Sequence, residues 1–171
     1  VDDGGNLKVA AMTYRQGGND FWTGPLDETT ATIDEQTCID WDKHFKMYSY
    51  ITKDLMGVIT DNFNIDADRI GIFGHSMGGH GALSIAIKNP ELFKTVSAFS
   101  PICSPIKVGW GSNAFAAYLG DERSDWADYD STELILNKGW SRDILVDQGL
   151  DDEFLDEYLK PELLYDHFLY I

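Results

Sequence analysis

The sequence predicts an α/β fold, a mostly parallel central sheet flanked by helices, on three observations. A short apolar run, Ile70, Ile72 and Phe73, passes through Gly74-His75-Ser76-Met77-Gly78 into the helical residues Ala82, Leu83 and Ile85 to Ile87. Ahead of it, Tyr48, Ile51, Leu55, Val58 and Ile59 recur at helical spacing. Beyond it, two more strand-like runs, Thr95 to Phe99 and Asp143 to Val146, are each separated from the last by a helical or irregular stretch. Strands alternating with helices imply parallel pairing through right-handed crossovers.

In chain order, Leu7 to Thr13 reads as a strand that ends in the turn-rich Tyr14 to Asp20. From there to about Trp41 no period is usable, and the spacing predicts a long loop over a sheet edge or a site mouth. A crossover helix from about Lys43 to Phe63 follows, and Asn64 to Asp68 break it before the strand at Ile70. Pro90 stops the helix that follows Ser76. Residues 101–140 are a less regular insertion rich in aromatics: Trp110, Phe115, Tyr118, Trp126, Tyr129 and Trp140. It is either a cap that shapes a pocket or a satellite core. The strand at Asp143 to Val146 then runs into Asp147-Gln148-Gly149-Leu150-Asp151-Asp152.

With 171 residues, 43% of them hydrophobic, the chain suffices for a single domain over residues 1–171 with its own core. A net charge of −16 repels phosphate backbones and anionic head groups, so neither nucleic acid nor a membrane surface is an expected partner. There is no apolar run long enough to cross a bilayer, and Val1-Asp2-Asp3-Gly4-Gly5 is unlike a signal peptide, so a cytoplasmic protein is the expectation. Cys38 and Cys103 have no metal-type or redox spacing and read as buried or incidental thiols.

The chemistry centres on Ser76. A strand that turns sharply into a helix strains the residue at the join, and the positions two before and two after it must lack side chains, as Gly74 and Gly78 do. Such a turn lifts the hydroxyl out of the sheet and sets it beside the unpaired N–H groups of the helix start, which can hold an oxyanion. Met77 N–H is the expected donor. A dinucleotide-type phosphate loop would need a G-x-G-x-x-G spacing that this stretch lacks.

A serine nucleophile needs a base and an acid that orients the base. In the strand–elbow–helix arrangement these follow in the order serine, acid, histidine. His44 and His75 precede Ser76, and His80 lies one turn into its helix, pointing along it, so His167 is the candidate base. The acid belongs on the loop after the strand that follows the insertion, where Asp151 and Asp152 both stand. The acidic run from Asp151 to Glu157 lacks the spacing of a calcium loop, and no metal is expected.

The chain resembles the S-formylglutathione hydrolase (esterase D) family of α/β-hydrolase serine esterases. The likeness runs through Met47-Tyr48-Ser49-Tyr50, Phe73-Gly74-His75-Ser76-Met77-Gly78-Gly79-His80-Gly81-Ala82-Leu83 and Ser97 to Cys103. It continues in Trp110-Gly111, Ala114-Phe115, Tyr118-Leu119-Gly120, Asp143 to Gly149, Asp152 and Phe154-Leu155. The resemblance implies Ser76 as nucleophile, Asp152 rather than Asp151 as triad acid, and His167 as base. It implies hydrolysis of S-formylglutathione to formate and glutathione through a formyl-enzyme, with activity on small esters and no cofactor; a homodimer is the assembly to test.

The chain departs from the family pattern in three places. It begins near the family's fourth strand, so the first three strands, and the loop that gives a second oxyanion donor, have no counterpart. Asp152 and His167 are too close in sequence to hold the helix and last core strand that the family places between them. His167 is followed by Phe168-Leu169-Tyr170, where the family has Ser-Tyr-Tyr. The expectation is therefore a partial α/β-hydrolase domain, with the triad histidine on a loop that resumes abruptly at Tyr165. The alternatives are a general short-chain carboxylesterase or acyltransferase, and an inactive, truncated hydrolase-like scaffold.

Overall fold

The computed structural model describes residues 8–10 and 47–168. Strand β1 (Lys8–Ala10) falls inside the expected first strand, while the expected long loop and Cys38 lie outside the described residues. Helix α1 (residues 47–62) opens as Met47–Ser49, widens by one π-helical stretch at Tyr50–Leu55 and finishes as Met56–Asn62. Strand β2 (Gly71–His75) leads into α2 (Met77–Lys88), then β3 (Thr95–Phe99). Helices α3 (Gly109–Leu119), α4 (Arg123–Trp126) and α5 (Ser131–Lys138) precede β4 (Ile144–Asp147) and α6 (Pro161–Phe168).

The four strands form one parallel sheet in the order β1-β2-β3-β4. The elbow strand β2 is therefore flanked on both sides, by β1 and by β3. Ile72, Val96 and Ile144 stand in one row across the sheet, and Gly74, Ala98 and Val146 in the next. These rows face α2, because side chains two apart on a strand share a face and a Cβ at Gly74 would run into the first turn of that helix.

Helix α2 is the centre of the core. Every residue from Gly78 to Ile87 is buried, the pattern of a helix apolar on all sides and enclosed between the sheet and other helices. Asn89 ends it, bonding Ile85 O through Nδ2 at 2.7 Å and pairing with the Tyr48 hydroxyl of α1 at 3.1 Å. Ile51, Met56, Ile70, Phe93, Leu134, Ile135, Trp140 and Leu164 complete the same core.

The insertion is more regular than its sequence suggests, since α3, α4 and α5 occupy most of it. Gly109 and Gly111, poor helix formers in the first turn of α3, weaken the signal that would otherwise announce it. The described aromatic side chains of the insertion divide between two places. Phe115 and Trp126 meet edge to face at 6.0 Å and form a second cluster with Ile102, Leu119 and Leu159, whereas Trp140 joins the main core. This second cluster is a satellite core, and Met77, Trp110 and Tyr129 pack against it.

Candidate active site

Ser76 stands between the last residue of β2 and the first of α2, with φ 56° and ψ −117°. A side chain makes that conformation costly, by roughly 1–3 kcal/mol, and it persists only where the surroundings dictate it. Three backbone bonds do so here. Ser76 N–H donates to Phe99 O at 2.8 Å, while Ser76 O accepts from His80 N–H at 3.1 Å and from Ile102 N–H at 3.4 Å. Gly74 and Gly79 give the turn its room: a Cβ at Gly79 would come within 2.9 Å of Pro101 Cβ. Gly78, the other expected elbow glycine, is buried in the first turn of α2. Met77 is the first residue of that helix, so its N–H has no carbonyl one turn earlier to bond.

The carboxyl ends of the three described central strands are tied together by the same kind of bond. Ser100 N–H donates to Asp147 O at 2.7 Å, as Ser76 N–H does to Phe99 O, so β2, β3 and β4 deliver their following loops to one edge of the sheet. That edge is where parallel α/β sheets hold ligands. The loop after β4 carries both candidate acids and separates them. Asp151 is exposed, whereas Asp152 is half-buried and has both oxygens engaged, Oδ1 by Phe154 N–H at 3.0 Å and Oδ2 by Gln148 Nε2 at 3.3 Å.

His167 falls near the end of α6 rather than on a loop, a correction to the sequence reading. Pro161 starts the helix with its φ already set, and no glycine or proline interrupts Glu162 to Phe168, so the helix runs on past Tyr165. Helix α6 packs beside α5 and reaches the sheet through the Tyr165 hydroxyl, which donates to Val146 O at 3.5 Å. The structure thus gathers Ser76, Met77, the elbow glycines and the Asp152 loop at one sheet edge, and places the backbone of His167 on the helix that adjoins β4.

Three polar residues of this region received no role in the sequence reading. Gln148 was signalled only by its place before the acid loop. Asp130 caps α5, accepting from Thr132 N–H at 2.9 Å and Glu133 N–H at 3.1 Å, and also bonds Ile106 N–H at 3.1 Å. Asp130-Ser131-Thr132-Glu133 is a capping pattern that would have announced it. His80, expected to point along its helix, is fully buried, with Nδ1 3.0 Å from Ile102 O and Nε2 2.8 Å from Tyr129 O.

Burial pulls His80 down to about 4 against the push of its two carbonyl partners, and burial pushes Asp130 up to about 6 against its N–H donors. Their effects on stability have opposite signs. A depressed His80 contributes stability that is present above pH 6.5 and lost as the pH falls through about 4. A raised Asp130 contributes stability that is present below its ordinary 3.8 and lost as the pH rises through about 6. The windows overlap and largely offset each other. Asp130→Asn keeps a capping side chain but removes the offset, so between pH 6 and 4 this variant should lose about 2 kcal/mol more stability than the native protein. Urea unfolding of both at the two pH values measures it, and parallel behaviour would refute the assignment.

Buried Cys103 is a free thiol whose ionisation burial drives far upward, so it is not a nucleophile here. Among the described residues there is no group of three or more His, Cys, Asp or Glu placed to hold a metal ion, and no helix is long and apolar enough to cross a membrane.

The family model described as "Putative esterase" matches residues 1–166. An S-formylglutathione hydrolase of Bos taurus is 47% identical over 151 residues, covering 88% of this chain and 51% of its own. One from Paracoccus denitrificans is 50% identical over 124 residues, covering 72% of this chain and 44% of its own. Among solved structures, an S-formylglutathione hydrolase from Agrobacterium tumefaciens is similar with a TM-score of 0.70 and 42% identity, over 81% of this chain and 49% of that one. A fluorophosphonate-binding serine hydrolase of Staphylococcus aureus, 20% identical over 74% of this chain and 51% of that one with a TM-score of 0.54, shares the fold. The chain spans about half the length of the curated relatives it matches.

Proposed function

Because this chain belongs to the esterase family and has the α/β-hydrolase fold, we propose that it carries the nucleophile and acid of a serine hydrolase that cleaves S-formylglutathione to formate and glutathione. The observation that carries this reading is the strained Ser76, held at φ 56° where the glycines around it leave no room for side chains. The identity to S-formylglutathione hydrolases supports the substrate. A glutathione thioester is an intracellular compound, and the proposed setting is the cytoplasm.

In this reading His167 takes the Ser76 hydroxyl proton as Oγ attacks the formyl carbon. The tetrahedral oxyanion is held by Met77 N–H at the positive end of α2. Collapse breaks the carbon–sulfur bond, and the thiolate leaves with the proton from His167. Water, deprotonated by the same imidazole, then attacks the formyl ester and releases formate, restoring Ser76. Asp152, its oxygens held by Gln148 Nε2 and Phe154 N–H, fixes the imidazole tautomer and offsets its charge.

Turnover of S-formylglutathione and of a short aryl ester by the intact protein tests the assignment. The thioester should be preferred by about tenfold or more in kcat/KM, because contacts to the glutathione moiety can be spent on the transition state. Preference for the aryl ester would point instead to a general carboxylesterase. Absence of both activities and of covalent labelling would leave a non-catalytic scaffold.

A further inference from the structure

The geometry points to His80 as a positioning residue that holds Ser76 in its strained conformation by closing a ring of bonds behind the nucleophile. This inference rests on Ser76 being the nucleophile, and the ring itself is laid out by three contacts. The His80 and Ile102 N–H groups are both bonded to Ser76 O, and the His80 side chain reaches Ile102 O through Nδ1. The two backbone donors that share one serine carbonyl are thereby tied to each other by an imidazole. Neither can move away from Ser76 without stretching the other. A conformation that costs free energy survives only when it is over-determined in this way.

The proton must sit on Nδ1 for the ring to close, and a neighbouring hydroxyl is placed to accept from it there. Ser131 Oγ lies 3.1 Å from Nδ1 and 2.9 Å from Cys103 O, and with its proton directed to Cys103 O it is an acceptor toward His80. Nδ1 therefore faces two acceptors, Ile102 O and Ser131 Oγ. Nε2 faces one, Tyr129 O. Burial and the Lys88 ammonium keep the ring neutral at physiological pH, with one proton to place. The bond to Ile102 is the one that touches the elbow; the contact with Tyr129 reaches the satellite core.

This gives the two amide replacements different consequences. Asparagine sets its side-chain N–H₂ near the position of Nδ1, and glutamine sets its own near Nε2. His80→Asn should keep the tie to Ile102 and label Ser76 with a fluorophosphonate at close to the native rate. His80→Gln keeps the contact with Tyr129 but opens the ring, and should label about 100-fold more slowly, the scale of loss expected when a reacting atom drifts by about 1 Å. In ester turnover the loss should fall on kcat with KM little changed, a split that general destabilisation would not produce.

The experiment compares labelling rates of the native protein and the two variants in the intact polypeptide, each checked for a cooperative thermal transition. Equal rates for the two variants, or a faster His80→Gln, would overturn the inference. If His80→Gln does not fold, the nitrogen-15 imidazole spectrum of the native protein decides instead: an Nδ1–H tautomer supports the ring and an Nε2–H tautomer refutes it. Failure of the native protein to label would count against Ser76 as nucleophile, while the tautomer would still report on the ring.

Discussion

Ser76→Ala is expected to abolish fluorophosphonate labelling and to lower ester and thioester turnover by about 10⁴-fold or more. The alanine keeps the Cβ and so keeps the backbone cost at φ 56°, and the fold should unfold at nearly the same denaturant concentration as the native protein. The separation of the two effects makes the experiment informative. A serine that merely completes a tight turn could be changed to alanine with little effect on turnover. Measured as kcat/KM on S-formylglutathione, a loss of less than about tenfold would end the case for a Ser76 nucleophile.

Gly74→Ala should be damaging in a different way, through stability first. A methyl at Gly74 would overlap the Gly78 carbonyl and stand 2.9 Å from Gly79 N, all of it backbone in the first turn of α2. Backbone cannot rotate aside as a side chain tip can, so the relief must come from pushing a wholly buried helix off the sheet. A cost of about 3 kcal/mol or more is expected, at the upper end for an overpacked site. Guanidinium unfolding of the variant measures it. A change below about 1 kcal/mol would mean that the helix start is less tightly seated than its contacts indicate.

Both results depend on features that were legible in the sequence, and the reason is that they are local. The period-2 run into Gly74, the glycine spacing and the apolar helix after Ser76 each concern residues within a few positions of one another. The order of strands and helices was equally readable from their alternation, and β2, α2, β3 and β4 fall within a residue or so of the expected stretches. The helices of the insertion were not, because α3 opens on Gly109-Trp110-Gly111, whose glycines weaken the helical signal although its buried Gly111, Phe115 and Leu119 fall at helical spacing.

His80 shows the same limit from the other side. Its place one turn after the serine set it aside as the base but gave it no other role, since its partners come from residues 102, 129 and 131, which only the folded chain brings together. Asp151 and Asp152 could not be separated by sequence spacing alone, and their burial separates them. His167 was placed on a loop by analogy with the family pattern, whereas the uninterrupted helix-compatible stretch after Pro161 carries it into α6.

The satellite core lies almost wholly within one crossover, between the end of β3 at Phe99 and the start of β4 at Ile144. A parallel crossover needs only about a dozen residues, and the entropy of closing a loop grows with the logarithm of its length, about 0.6 kcal/mol for each doubling. Extending a minimal connection to the one present here therefore cost the sheet little more than 1 kcal/mol by that relation. The wall beside Met77 can accordingly lengthen, shorten or change its aromatics while the strands that aim Ser76 keep their register. Beyond Ile102, whose N–H is bonded to Ser76 O, sequence change in this connection is thus decoupled from the register of the sheet.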